Sequence, residues 1–196
     1  MDFSTLLVLD CKTTLWENTK DQPVGQSVEI ICIDVALVNT TKNEVIEHEI
    51  IYVKPPKSKI SPFCYGAFGI SQAKLDADGI PFEQAYRRLR VHYMSRDRLW
   101  GSWGRCEKYA LDKQCKALEL EPPFITNHLD IQHLYSLMTG SKNETNCITL
   151  ADAATALELK TTINCAYDTA HVYMRMAKGL RPTKTRIVVP AYYECN

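Results

Sequence analysis

Hydrophobic and polar positions alternate in three different rhythms along this chain. Residues 5–9, Thr-Leu-Leu-Val-Leu, form a short continuous apolar run, the pattern of a strand buried on both faces. Residues 28–39 form a longer run rich in Ile and Val. The polar stretch Thr40-Thr41-Lys42-Asn43 then reads as a turn, with residues 45–53 as the hairpin partner. Lys54-Pro55-Pro56 ends that strand, because proline cannot donate to a ladder. Residues 58–78 read as loop and short helix, and Pro81 opens a helix at its first turn, running to Leu89. A short strand at 99–102 precedes a helix over 107–120, and Pro122-Pro123 breaks the chain. Residues 125–131 read as a strand leading into a helix over 134–138. Thr149 caps a helix over 150–159, with Asp152 completing a capping-box-like start, and a last helix over 166–178 ends at Gly179.

Strands first, then helices alternating with short strands, predict an α/β fold: a mixed sheet flanked by helices. A chain of 196 residues without repeats or an internal linker reads as one domain, residues 1–180. Residues 181–196 form a tail whose Ile187-Val188-Val189 and Tyr192-Tyr193 suit packing on the domain or on a partner.

Composition narrows the function by removing options. Lys and Arg total 23 and Asp and Glu total 23, so no net basic charge points to a nucleic-acid backbone. The N-terminus lacks a signal-peptide pattern, and no apolar run reaches the ~20 residues that a membrane helix needs, so no membrane association is expected. The 8 cysteines are scattered with no Cys-x-x-Cys, which reads as reduced, mostly buried thiols in a cytoplasmic or nuclear protein. The sequons at Asn39 and Asn143 carry no meaning in that setting.

The apolar strand at 5–9 ends in Asp10-Cys11-Lys12. A two-metal nuclease clamps the attacking and leaving oxygens of a phosphodiester between divalent cations about 4 Å apart, held by carboxylates. Asp-x-Glu on one strand serves this chemistry, since positions i and i+2 share a face. Asp10, Tyr52-Val53-Lys54-Pro55, Ser61-Pro62-Phe63-Cys64, Phe68-Gly69-Ile70-Ser71-Gln72, Ser102-Trp103-Gly104 and Asn164-Cys165-Ala166-Tyr167-Asp168 follow in that order. Over about residues 5–180 this resembles the DEDDh (DnaQ-like) 3′–5′ exonuclease family, in the branch of the histone-mRNA 3′-exonuclease and KapD-like proteins. The resemblance implies an RNase H-like exonuclease fold, with a mixed five-stranded sheet flanked by helices.

The resemblance also locates the catalytic positions. The first acid is Asp10. The second, a glutamate in the family, falls on Lys12, and the third on Glu107, one methylene longer than aspartate. The family histidine falls on Asn164, which cannot take a proton near neutral pH. The last acid falls on Thr169, with Asp168 at the preceding position, one that is not usually a ligand in the family. Lys12 puts an ammonium where a dication is required, and reads as neutralising a buried acid cluster of Asp10 and Glu107. Asp168 reads as a helix N-terminal acid and Asn164 as a cap. No catalytic set is intact and no metal is expected. A metal, if any, would fall to Asp10, Glu107 and Asp168, with Mg²⁺ or Mn²⁺ as cofactor in an active enzyme.

Other residues carry binding rather than catalysis. Trp16, Phe63, Tyr65 and Phe68 are candidates for a surface that stacks a 3′-terminal base, as the resemblance implies, with core or rim packing as the competing role. Arg87 and Arg88, with Arg90, Arg96 and Arg98, form a basic cluster, and His171, Arg175, Lys178, Arg181, Lys184 and Arg186 form another. A solvated helix face competes with RNA contact at both. Cys11, Cys106 and Cys165 lie within the motifs, but their spacing is irregular for zinc, and His128 and His133 read as structural. The sequence therefore reads as a pseudonuclease: an exonuclease fold without catalysis, binding protein partners, single-stranded RNA or both, in RNA processing or small-RNA silencing. The alternative is an active metal-dependent 3′–5′ exoribonuclease with a rearranged site.

Overall fold

A computed structural model of the chain describes residues 2–124, 128–140, 148–160 and 165–180. Strand β1 (Asp2–Thr13) lies at the centre of a five-stranded sheet. It pairs antiparallel with β2 (Ile30–Asn39), which pairs antiparallel with the edge strand β3 (Glu44–Tyr52). On its other side β1 pairs parallel with β4 (Arg98–Ser102), and β4 pairs parallel with β5 (His128–Asp130). The order is β3-β2-β1-β4-β5, the mixed sheet that the alternation of strands and helices predicts.

The helices are α1 (Pro62–Phe68), α2 (Gln72–Asp78), α3 (Phe82–Val91), α4 (Cys106–Ala117), α5 (Ile131–Thr139), α6 (Leu150–Ala156) and α7 (Ala166–Leu180). Successive strand residues point to opposite faces, so each strand feeds two cores. Leu7, Leu9, Ile33 and Val35 pack against Phe82, Ala85 and Leu89 of α3 and Leu111 of α4. Leu6, Val8, Ala36 and Val38 pack against Ile131, Leu150, Ala170 and Val172 of α5, α6 and α7. Helices on both faces are why residues 5–9 read as continuously apolar. The cysteines described are free thiols, with Cys32, Cys64 and Cys115 buried.

Several boundaries differ from the hydrophobic pattern. β1 continues past Leu9 to Thr13, because Asp10, Cys11 and Lys12 stay in register with Asp34, Ile33 and Cys32. The ladder needs only backbone groups, so a polar run does not end a strand whose partner continues. Pro81 is the N-cap of α3 rather than its first helical residue, with an extended ψ of 146°. β5 starts at His128, and residues 125–127 of that expected strand lie outside the described residues. Ile131 opens α5 because the Asp130 carboxylate caps it, accepting from the His133 N–H at 2.9 Å. α6 stops at Ala156, two residues before the left-handed turn at Glu158, φ 56°. The tail at 181–196 and Asn164 lie outside the described residues, as do the basic residues Arg181, Lys184 and Arg186.

Candidate nuclease-like cleft

The C-terminal end of β1 delivers Asp10 and Lys12 to the face that carries Leu6 and Val8. β4 ends in Ser102 and turns through Trp103 and Gly104 into α4, whose first turn carries Glu107. The first turn of α7 carries Asp168 and Thr169. Asp10, Glu107 and Thr169 meet in a cleft of about 260 Å³ that Trp103, Gln132 and Thr149 also line. Three of the positions given by the family resemblance thus converge on one cavity, though they lie up to 159 residues apart in sequence.

Lys12 is bound to this group by charge. Its ammonium Nζ lies 2.7 Å from Asp10 Oδ2, with both side chains mostly buried. The same ammonium stands over the Phe68 ring, 5.5 Å from its centroid, where the negative face of the ring favours a cation. α1 holds Phe68 in reach of β1. The Ser61 hydroxyl accepts from the Cys64 N–H at 3.0 Å, capping the helix, and donates to the Leu15 carbonyl at 2.6 Å. The Cys64 thiol donates to the Thr13 carbonyl.

Burial governs the protonation of the acids. Glu107 is 8 % exposed and its Oε2 has no hydrogen-bond partner. Desolvation pushes its carboxyl up to about 7, opposed by its own backbone N–H; Asp10 adds to the rise, while the Ser102 hydroxyl and Lys12 oppose it. Asp10 is also raised by burial, against the pull of Lys12. A third buried acid, Asp34, sits directly opposite Asp10 across the β1–β2 ladder. Its Oδ1 lies 2.8 Å from His48 Nε2. Burial raises Asp34, His48 lowers it, Asp10 raises it and Lys12 lowers it. The sequence reading missed Asp34. Its signal was present: it is the lone charge within Ile30-Ile31-Cys32-Ile33-Asp34-Val35-Ala36-Leu37-Val38.

Asp168 is buried in α7 but does not line the cleft, so the alternative ligand set Asp10, Glu107 and Asp168 is not brought together there. Among the described residues, no three His, Cys, Asp or Glu side chains form a group that could hold a metal ion, which includes Cys11, Cys106 and Cys165. His128 is structural, its Nε2 lying 2.8 Å from the Ser102 hydroxyl and its ring against Trp100. The candidate aromatics separate. Trp16 and Phe63 line a second cavity of about 410 Å³ with Ile60 and Lys59, Phe68 lies under Lys12, and Tyr65 is exposed elsewhere on α1. Arg88 is engaged by Glu49 of β3 at 2.6 Å, Arg87 is exposed, and their helix α3 packs on the sheet face away from α7. No helix among the described residues is long and apolar enough to cross a membrane.

No protein-family model matches the chain. It is 26% identical over 146 residues to the probable 3′-5′ exonuclease KapD of Bacillus subtilis (strain 168), covering 74% of this chain and 69% of that protein. In fold it is similar to the nuclease domain of 3′hExo, a DEDDh family member bound to rAMP, with TM-score 0.76 and 22% identity over 90% of this chain and 93% of that one. It is also similar to cell-death related nuclease 4, with TM-score 0.72 and 18% identity over 90% of this chain and 64% of that one. These similarities bear out the RNase H-like exonuclease architecture.

Proposed function

We propose that this chain, which sequence and fold similarity assign to the DEDDh 3′–5′ exonuclease family, uses its cleft to bind rather than to cleave. The observation that carries the reading is the ion pair between Lys12 and Asp10. A two-cation mechanism needs several carboxylates free to ligate hard cations. Here one of the two cleft acids already faces an ammonium at 2.7 Å, the other is held near neutrality by burial, and Thr169 offers an uncharged hydroxyl. These residues do not fit a pair of divalent cations. The family position of the general base is Asn164, which lacks a titratable group at neutral pH.

The candidate ligands are single-stranded RNA and protein partners. Support for RNA comes from fold relatives: one structure holds rAMP, and another is of a 3′-exonuclease recognising a histone mRNA stem-loop. RNA processing or small-RNA silencing is the setting we propose on that analogy. The aromatic cavity at Trp16 and Phe63 is the proposed surface for a base, since aromatic faces accept any base. The rival reading is an active exoribonuclease, and the convergence of Asp10 and Glu107 on one cleft favours it.

The deciding experiment follows a 5′-labelled single-stranded RNA on a denaturing gel with Mg²⁺ or Mn²⁺, beside an Asp10→Ala control. Intact RNA in both lanes is expected. A ladder that disappears in the control establishes an enzyme and overturns the binding reading.

A further inference from the structure

We propose that the cleft is a latent divalent-cation site that Lys12 closes, its ammonium standing as the resident cation beside Asp10, in the cleft that Glu107 also lines. The inference rests on the binding reading and deepens it: ligand capture in this cleft proceeds without metal ions.

The geometry begins with the strand. Residues 10 and 12 share a face of β1, so the Lys12 ammonium reaches the Asp10 carboxylate at 2.7 Å. Asp34 faces Asp10 across the ladder, and Glu107 enters from the first turn of α4. Asp10 and Glu107 line the same cleft, and the Lys12 ammonium lies against the Asp10 carboxylate there. Without a cation, two poorly hydrated carboxylates that line one cleft repel each other. A nuclease meets that need with metal; here a side chain meets it.

A further feature shows that the site is latent rather than erased. Glu107 is more than nine-tenths buried, and its Oε2 accepts no hydrogen bond although the residue lines the cleft. An unsatisfied buried oxygen of this kind is a vacant ligand position for a cation or a donor. Asp34 is held by His48 and does not line the cleft, which leaves Asp10, Glu107 and the Thr169 hydroxyl as donors there. Two carboxylates and a hydroxyl beside an ammonium are too few and too positive for a cation that takes about six oxygen ligands. Removing the ammonium, or placing a carboxylate at residue 12, changes both terms in favour of the metal.

The test uses the whole chain and Mn²⁺ alone as probe. Bound and free Mn²⁺ are separated by electron paramagnetic resonance, and thermal melts are recorded with Mn²⁺ and with EDTA. The wild type is expected to show no saturable binding and an unmoved midpoint. Lys12→Glu is expected to bind Mn²⁺ saturably and to melt several degrees higher with it. Adding Asp10→Ala to that variant is expected to abolish the binding. Lys12→Ala is expected to melt below the wild type in EDTA and to recover part of the loss with Mn²⁺.

Saturable wild-type binding that Asp10→Ala removes overturns the proposal. So does a Lys12→Glu chain with wild-type circular dichroism that ignores Mn²⁺. If Lys12→Glu folds only with Mn²⁺, the proposal is supported. If it folds in neither condition and Lys12→Ala also ignores Mn²⁺, the proposal fails. Wild-type Mn²⁺ binding with intact RNA sinks this inference and leaves the binding reading standing, whereas metal-dependent shortening of RNA sinks the reading itself.

Discussion

Between pH 5 and pH 8 the buried Glu107 carboxyl changes charge in the folded protein, and that makes its role measurable. Its folded value of about 7 lies above its ordinary value of 4.5. In that interval the folded state keeps a proton that the unfolded chain has lost, so stability falls as pH rises from 4.5 through 7. The loss is at most roughly 3 kcal/mol, from the shift converted at 1.36 kcal/mol per unit. Asp10 and Asp34, also raised by burial, act in the same direction at lower pH. His128 and His171, lowered by burial, act in the opposite one, gaining stability as pH rises through 6.5. The clean quantity is therefore the difference between wild type and Glu107→Gln. Urea unfolding at both ends of the range is expected to show the variant gaining on the wild type by about 2–3 kcal/mol from pH 5 to pH 8. An equal difference at the two pH values places Glu107 in water rather than in the cleft wall.

At the scale of elements, short segments carry the site, and their weak points can be named. α1 is only seven residues long and depends on Ser61, which both caps it and ties it to Leu15. Ser61→Ala is expected to cost about 1–2 kcal/mol in denaturant unfolding. It also frees Phe68 from its place under Lys12. Gly101 of β4 sets a different limit. A Cβ there lies 2.6 Å from the Leu129 carbonyl and 3.1 Å from the Leu129 Cβ, so the β4–β5 pairing leaves no room for a side chain. Gly101→Ala is expected to destabilise by about 1–3 kcal/mol, because a strand backbone cannot yield as a flexible side chain does. A midpoint unchanged from the wild type contradicts the close pairing. These elements also mark what a single sequence reveals. β2, β3 and β4 were legible because period and turn residues announce them, as was the cap at Thr149. The extension of β1 was not, because Asp10-Cys11-Lys12 looks like the end of a strand until its partner is known. Asp34 was overlooked for a related reason. One charge in an apolar run gains meaning only when the ladder sets it against Asp10.

For the molecule as a whole, charge balance and layer geometry decide how a nucleic-acid strand would be held. With 23 basic and 23 acidic residues the chain has no net field to gather phosphates from a distance. Affinity for RNA must come from local contacts, and those divide by sheet face. α3, with Arg87 and Arg88, packs on the face away from α7, and Arg88 is already engaged by Glu49. Lys12 lies at the cleft, and Lys59 lies at the Trp16–Phe63 cavity. Fluorescence anisotropy with a short single-stranded RNA is therefore expected to show a shallow salt dependence. The slope of log K against log salt should be no steeper than about −1.4, the value for two neutralised phosphates. Arg87→Glu is expected to leave affinity within about twofold, since a surface charge on the far face is screened by ordinary salt. Trp16→Ala is expected to weaken binding about tenfold or more through the loss of stacking, with the salt slope unchanged because no phosphate contact is removed. If Arg87→Glu weakens binding and flattens the slope while Trp16→Ala does neither, RNA runs along α3, and the cleft serves a protein partner instead.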